Sequence, residues 1–200
     1  MIKVIIFDCG GVMIDYPVPG LTRYYCNFFG ISQQQYVESH RKFEVELQKG
    51  LITEETFWAR LCGELNVPEP TCSSLLTEAF KTIHSPKLEM FELAGLLAEL
   101  GYKIALLSNI EPPIADFICQ HDYSMFDELI FSSEVGFAKP QKEIYQLAID
   151  KLAVEPSEAV FIDDMQKYVD AAKQAGLNAF LFKSPEQVKT ELANLSVKTN

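Results

Sequence analysis

Short runs of apolar, largely β-branched residues recur along the chain. The first, IKVIIF at residues 2–7, closes on Asp8; the others are KIALL (103–107), ELIF (128–131), AVFI (159–162) and AFLF (179–182). Continuous apolar runs of this length predict strands buried on both faces. Between them the apolar period lengthens to that of a helix. SPKLEMFELAGLLAELG places Ser85 as cap, Pro86 in the first turn and Gly101 as stop, with Leu93, Leu96, Leu97 and Leu100 on one side. KPQKEIYQLAIDKLAV puts Ile144, Leu147, Ala148 and Leu152 on one face, and QKYVDAAKQAG ends on Gly176. Strands alternating with such helices predict an α/β fold, a Rossmann-like parallel sheet with helices on both faces.

Residues 20–85 break the alternation. LTRYYCNFFG, SQQQYVESHRKFEVELQKG, TEETFWARLCGEL and TCSSLLTEAF all carry helical patterns. Thr53 is placed as a cap before Glu54 and Glu55, with Phe57, Leu61 and Leu65 spaced for a buried stripe. The simplest account is a small helical unit inserted after the first strand.

With 48% hydrophobic and 22% charged residues, the 200-residue chain has the composition of one globular core plus a modest insertion. Its formal charge of -11 is spread along the sequence, which argues against a nucleic-acid partner. MIKVIIFD is too short for the apolar core of a signal peptide, and no run reaches the length of a membrane span, so a cytoplasmic location is expected. Cys9, Cys26, Cys62, Cys72 and Cys119 are scattered and odd in number, and are read as reduced. His40, His84 and His121 are too few and too separated for a zinc site.

Open parallel sheets bind ligands beyond the C-terminal ends of their strands. Three of those ends carry polar groups: Asp8, then Ser108 with Asn109, then Asp163 with Asp164; Lys139 follows ELIF by a loop of small residues. Each alone reads as a turn or cap. Together they specify a carboxylate trio, a hydroxyl and an ammonium able to meet in one cleft. Oxygen-only ligands suit Mg²⁺. An aspartate can attack phosphorus to give an aspartyl-phosphate while a cation and a lysine balance charge on the transferring oxygens. Ser108 and the backbone N–H groups after Asp8 could hold the other oxygens, and Gly10 and Gly11 would let the backbone turn closely around a bound anion.

FDCGGV (7–12), LLSN (106–109), VGFAKPQKEIY (135–145) and VFIDD (160–164) resemble, in order, the four motifs of the haloacid dehalogenase-like hydrolase superfamily. Within it the chain is most similar to phosphatases whose first motif reads Asp-x-Gly-Asn-Val, a group that includes a bacterial sugar-1-phosphate phosphatase. The resemblance implies a core of residues 1–16 and 86–200, a helical cap of residues 17–85, and Mg²⁺-dependent hydrolysis of a small phosphorylated metabolite by a monomer or homodimer. It further implies Asp8 as nucleophile and metal ligand, the Gly10 carbonyl as second ligand, Ser108 on the phosphate and Lys139 as neutralising ammonium. Asp164 resembles the direct metal ligand, Asp163 a neighbour that orients Lys139 or a metal-bound water, and Asn109 a group beside the phosphate that helps place it or the attacking carboxylate.

The sequence departs from that pattern at Gly10, where most such phosphatases carry a second Asp as general acid. Asp15, on the following flap, is a candidate replacement; it equally reads as lining the hinge into the insertion. The missing acid also admits a dehalogenase-like hydrolase using Asp8 on carbon without metal, against which stands the Asp163–Asp164 pair. A catalytically weak binding relative is a third reading, opposed by the joint presence of Asp8, Ser108, Lys139 and Asp164. Substrate choice is expected from Arg23, Tyr24, Arg41 and Lys42 in the insertion, which would close about hinges near residues 17–20 and 85–86. Strand alternation turns Cys9 away from Asp8, into packing.

Overall fold

The computed structural model describes residues 1–121 and 123–199. The chain begins with β1 (Val4–Phe7), followed by helices α1 (Val18–Phe29), α2 (Gln33–Gln48), α3 (Glu54–Leu65) and α4 (Leu75–Ile83). Then come α5 (Leu88–Glu99), β2 (Lys103–Ser108), α6 (Pro112–Cys119), β3 (Glu128–Phe131) and the one-turn α7 (Ser132–Val135). It ends with α8 (Lys142–Leu152), β4 (Ala159–Asp163), α9 (Gln166–Gln174), β5 (Asn178–Leu181) and α10 (Pro185–Asn194).

The strands form one sheet in the order β3-β2-β1-β4-β5, parallel throughout. Alternate residues go to opposite faces. Ile5, Phe7, Ile104, Leu106, Val160 and Ile162 join one apolar cluster, and Val4, Ile6, Ala105, Leu107, Ala159 and Phe161 the other. Side chains of α5, α6 and α10 pack into the first cluster and those of α8 and α9 into the second. Burial on both sides is why the strands read as unbroken apolar runs. From β1 the chain moves outward to β2 and β3, then returns to β4 on the other side. The loops after β1 and β4 therefore part company there and leave the crevice in which such sheets bind ligands.

Two helices differ from expectation. Ser85 is not a cap: α5 begins at Leu88 with Lys87 as its N-cap. Residues 85–87 instead run extended beside the flap after β1, where Asp15 N–H donates to Ser85 O at 2.9 Å and Lys87 N–H to Met13 O at 2.8 Å. Pairing with the flap thus postpones the first helical turn. The buried stripe of α5 is Met90, Leu93, Ala94 and Leu97, leaving Leu100 39% exposed. In α8, Tyr145 and Ile149 are buried with Ile144, Ala148 and Leu152, and Leu147 lies at the edge. Thr53 caps α3 as predicted, accepting from Thr56 N–H at 3.1 Å.

Helices α1–α4 share an aromatic centre, with Trp58 ring centroids 5.2 Å from Tyr25 and 4.8 Å from Phe57. The same apolar cluster runs on into the sheet, holding Tyr25, Trp58 and Phe80 together with Phe117, Leu106 and Phe7. Polar contacts add to it where α2 ends on α7. Ser132 Oγ donates to Gln48 O and accepts from Ile110 N–H at 3.0 Å. Gly50, at φ +66°, lies so close that a Cβ there would sit 2.2 Å from Ser133 O. Among the described residues no helix is long and apolar enough to cross a membrane.

Candidate active site

Strand register sets the centre of the site. Phe7 pairs with Ile162, and Asp8 N–H donates to Ile162 O at 2.9 Å, so Asp8 stands level with Asp163 on the neighbouring strand. Residues level on adjacent parallel strands face the same way. Lys139 closes the gap between them: its Nζ donates to Asp8 Oδ1 at 2.7 Å and to Asp163 Oδ2 at 2.6 Å. All three are buried, and the rings of Tyr168 and Phe161 lie 5.0 and 5.3 Å from the ammonium. Tyr168 went unmarked in the sequence, although its place in the first turn after Asp163 and Asp164 points toward the site.

Asn109 fixes the lysine loop. Its Oδ1 accepts from Lys139 N–H at 2.7 Å and its Nδ2 donates to Lys139 O at 2.9 Å. With both ends of the amide engaged on one backbone unit, Asn109 holds the loop that carries the ammonium. Asp163 is tied twice, since its Oδ1 also accepts from Met165 N–H at 2.8 Å. Ser108 ends β2, buried beside β1.

Burial pushes the Asp8 carboxyl up to about 7, with Lys139 opposing and Asp163 adding to the rise. Burial alone would discharge Lys139; the two carboxylates reverse this and hold its ammonium above the ordinary lysine range. Asp164, half-buried, is pushed up by burial and then by Asp163. Oxygens of Asp8, Asp163 and Asp164 lie within 4.8 Å of one another. This hard, oxygen-only donor set fits Mg²⁺. Because Asp163 is already engaged by Lys139 and Met165, Asp8 and Asp164 are the carboxylates left to face a cation. The two glycines divide the remaining work. A Cβ on Gly11, at φ +85°, would lie 2.2 Å from Asp164 Oδ2, so its bare backbone is what lets the first loop pack against Asp164. A Cβ on Gly10 would meet Pro17 Cδ at 3.2 Å.

The profile of the haloacid dehalogenase-like hydrolases matches residues 2–176. The chain belongs to this family. A mouse protein named acyl-CoA dehydrogenase family member 10 is 29% identical over 211 residues; the match takes in 96% of this chain, which spans only 19% of that protein's length. D-ribitol-5-phosphate phosphatase of Bacteroides thetaiotaomicron is 27% identical over 193 residues, covering 90% of this chain and 91% of the relative. A HAD family enzyme of the same bacterium, solved with magnesium and inorganic phosphate, superposes with a TM-score of 0.73 at 21% identity, over 92% of this chain and 95% of that one.

At Gly10, where the family pattern has a second acid, a side chain would press on the Pro17 ring. Asp15 is not among the carboxylates grouped around the site. It is exposed, with Oδ1 3.1 Å from Lys87 Nζ, and bonds to Ser85 and Lys87 hold it below the usual carboxylate range. Cys9 turns to the opposite face, 2% exposed, its thiol pushed up by burial and by Asp8, and is no nucleophile.

A cavity of about 200 Å³ opens between α1, α2 and the start of α6, with Tyr25, Tyr36, His40, Arg41, Glu44 and Glu111 in its walls. Arg41 is the one expected specificity residue that lines it. Arg23 points to solvent, Tyr24 packs edge-on against Tyr25 at 5.9 Å, and Lys42 pairs with Glu64. Glu111 was not anticipated. Glu111 carries a signal in hindsight, two residues beyond Asn109. Tyr16, half exposed on the flap after β1, has its hydroxyl pushed up by burial, then by Asp164, Tyr168 and Glu44.

Proposed function

We propose that the chain is a Mg²⁺-dependent phosphatase acting on a small phosphorylated metabolite of the sugar-phosphate class through an aspartyl-phosphate on Asp8. The observation that carries this reading is the buried Lys139 ammonium between Asp8 and Asp163, with the Asp8 and Asp164 oxygens close enough to share one cation. The names of the D-ribitol-5-phosphate relative and of a phosphorylated-carbohydrate phosphatase from Thermotoga maritima support the substrate class. Asp8 attacks phosphorus, the leaving oxygen departs, and water then hydrolyses the acyl phosphate. Lys139 offsets charge on Asp8 and on the transferring oxygens, Asp163 and Asn109 hold Lys139 in place, and Ser108 binds a phosphoryl oxygen. A bound Mg²⁺ would supply further charge neutralisation, held by Asp8, Asp164 and the Gly10 carbonyl. With no acid at position 10, leaving groups that depart without a proton are favoured, a sugar 1-phosphate or acyl phosphate over a simple alkyl ester. Residues 17–85 act as the cap that sets specificity.

Turnover of acetyl phosphate and p-nitrophenyl phosphate with and without Mg²⁺, in parallel with Asp8→Asn, tests the reading. Mg²⁺-dependent hydrolysis that falls by roughly 10³-fold or more in the variant is expected. Halide release from 2-haloacids in the presence of chelator would put a dehalogenase in its place, and inactivity in both assays a binding protein.

A further inference from the structure

We propose that Tyr168 is a positioning residue for the reaction: its ring walls in the Lys139 ammonium and keeps it on the bridge between Asp8 and Asp163, while leaving one N–H of that ammonium for a phosphoryl oxygen. The proposal rests on the phosphatase reading above and adds an aromatic partner for its lysine.

The hydrogen bonds of the lysine give the first reason. An ammonium carries three donors, and the buried Lys139 Nζ has two acceptors among the described residues, Asp8 Oδ1 at 2.7 Å and Asp163 Oδ2 at 2.6 Å. One N–H is left over. Beside it stand two rings, with the centroids of Tyr168 and Phe161 at 5.0 and 5.3 Å from Nζ. A ring face attracts a desolvated cation, yet it accepts a hydrogen bond more weakly than any oxygen does. The spare N–H is thus steadied without being used up, and an incoming phosphoryl oxygen can take it. A third carboxylate or a carbonyl in the same place would bind that proton and compete with the substrate.

The mounting of the ring gives the second. Asp163, which accepts from Lys139 through Oδ2, also accepts from Met165 N–H through Oδ1 at 2.8 Å and so fixes the start of α9. Tyr168 stands in the first turn of that helix, its N–H donating to Met165 O at 2.9 Å. Its own carbonyl accepts from the Tyr145 hydroxyl at 3.0 Å. Tyr145 is fully buried on α8 and meets Phe161 edge-on at 5.7 Å, so both rings beside the ammonium share one support. A ring held by its backbone at two points can hold a lysine in turn. The Tyr168 hydroxyl adds little, because Asn109 Nδ2 is 3.5 Å away, at the limit of a hydrogen bond. The same ring also seats an outer ammonium: Lys167, exposed to solvent, has its Nζ 4.6 Å from the centroid.

The test measures kcat and KM for acetyl phosphate with Mg²⁺ in the unaltered chain, in Tyr168→Phe, in the ringless variants Tyr168→Leu and Tyr168→Met, and in Lys167→Met. Tyr168→Phe keeps the ring and is expected to stay within about twofold of the unaltered kcat. Each ringless variant is expected to lose roughly tenfold in kcat, the size of one buried cation–π contact, with KM moved by less than about threefold. Lys167→Met is expected to leave kcat unchanged, which separates the inner lysine from the outer one. A tyrosine that served only the packing of α9 would lower the Tm in the ringless variants and leave the kcat of the folded enzyme alone. A second readout is independent of turnover. In the metal-free protein the ammonium resonance of Lys139, assigned by its loss in Lys139→Met, is expected to sit upfield under the ring current in the unaltered chain and in Tyr168→Phe, and to move downfield in both ringless variants. Unchanged kcat without the ring, an equal loss in Tyr168→Phe or Lys167→Met, or an unmoved ammonium resonance would overturn the positioning role and leave the phosphatase reading standing. Absence of Mg²⁺-dependent turnover in the unaltered chain would overturn both.

Discussion

Burial and pairing act against each other at Asp8, and the balance can be read in stability. In the metal-free protein burial holds this carboxyl near 7, against 3.8 for an ordinary aspartate, while Lys139 stays charged. The folded state then binds the Asp8 proton more tightly than the unfolded chain does, so this residue's contribution to stability is full below about pH 4 and is lost as pH rises through 7. Denaturant titrations in chelator at pH 4, 5.5, 7 and 8 are expected to show the unaltered chain losing stability relative to Asp8→Asn across that window, and a gap that widens in the opposite sense would contradict the assignment. Gly10 offers a second prediction at this scale. Because the Pro17 ring occupies the space beside it, Gly10→Asp alone should destabilise the protein. Gly10→Asp with Pro17→Ala should accept the new side chain and raise kcat on esters with basic leaving groups, by up to about 10²-fold, with a smaller gain on acetyl phosphate. Equal gains on both substrates would show that the added carboxyl is not protonating the leaving oxygen. Asp8, Asp163 and Asp164 were legible in the sequence because each sits at or just beyond a strand end, where local pattern fixes position, and Lys139 because the loop of small residues after β3 leads to it. The roles of Asn109 and Asp15 were not, because each depends on a partner distant in the chain: the Lys139 backbone for one, the Lys87 ammonium for the other.

Between elements, the decisive contact is the one that joins α2 to α7. The sequence foretold the helices of the insertion, through the cap at Thr53 and the stripe of Phe57 and Leu61, but nothing in the local pattern showed where the insertion docks. Docking depends on Ser132, which links Gln48 O to Ile110 N–H, and on Gly50, which has no room for a side chain against Ser133 O. The cavity edged by Gln48 and Glu111 depends on that docking, which is why Glu111 could not be singled out beforehand. Gly50→Ala combines a left-handed backbone angle with a backbone clash at 2.2 Å, so it should push the end of α2 off α7 and cost about 1–3 kcal/mol. Hydrogen exchange is expected to quicken at residues 45–51 and 132–136, and kcat/KM for the preferred phosphate ester to fall more than that for acetyl phosphate. Unchanged exchange with a normal Tm would mean that the contact does not hold the insertion in place.

For the molecule as a whole, the pattern of apolar contacts bears on how the insertion moves. A hinged cap was expected to swing about residues 17–20 and 85–86, yet the aromatic centre around Trp58 belongs to the same apolar cluster as Phe7 and Leu106 in the sheet. Separating the two would expose Phe80, Phe117 and Ile114, where α4 meets α6, and break the Ser132 link as well. At about 25 cal/mol per Å² of apolar surface, parting several large side chains costs several kcal/mol, a sizeable part of a typical domain's stability. Access to the site should therefore come from local movement at the rim, where Tyr16 and Val18 are about half exposed, with the helical insertion and the sheet unfolding as one unit. The chain contains a single tryptophan, Trp58, within the insertion, so its fluorescence reports that unit while far-UV circular dichroism reports all of the secondary structure. In urea the two signals are expected to trace one transition with the same midpoint and slope. A fluorescence transition completed at lower urea than the dichroism change would show that the insertion unfolds on its own, and large-scale swinging would again be the natural route for substrate.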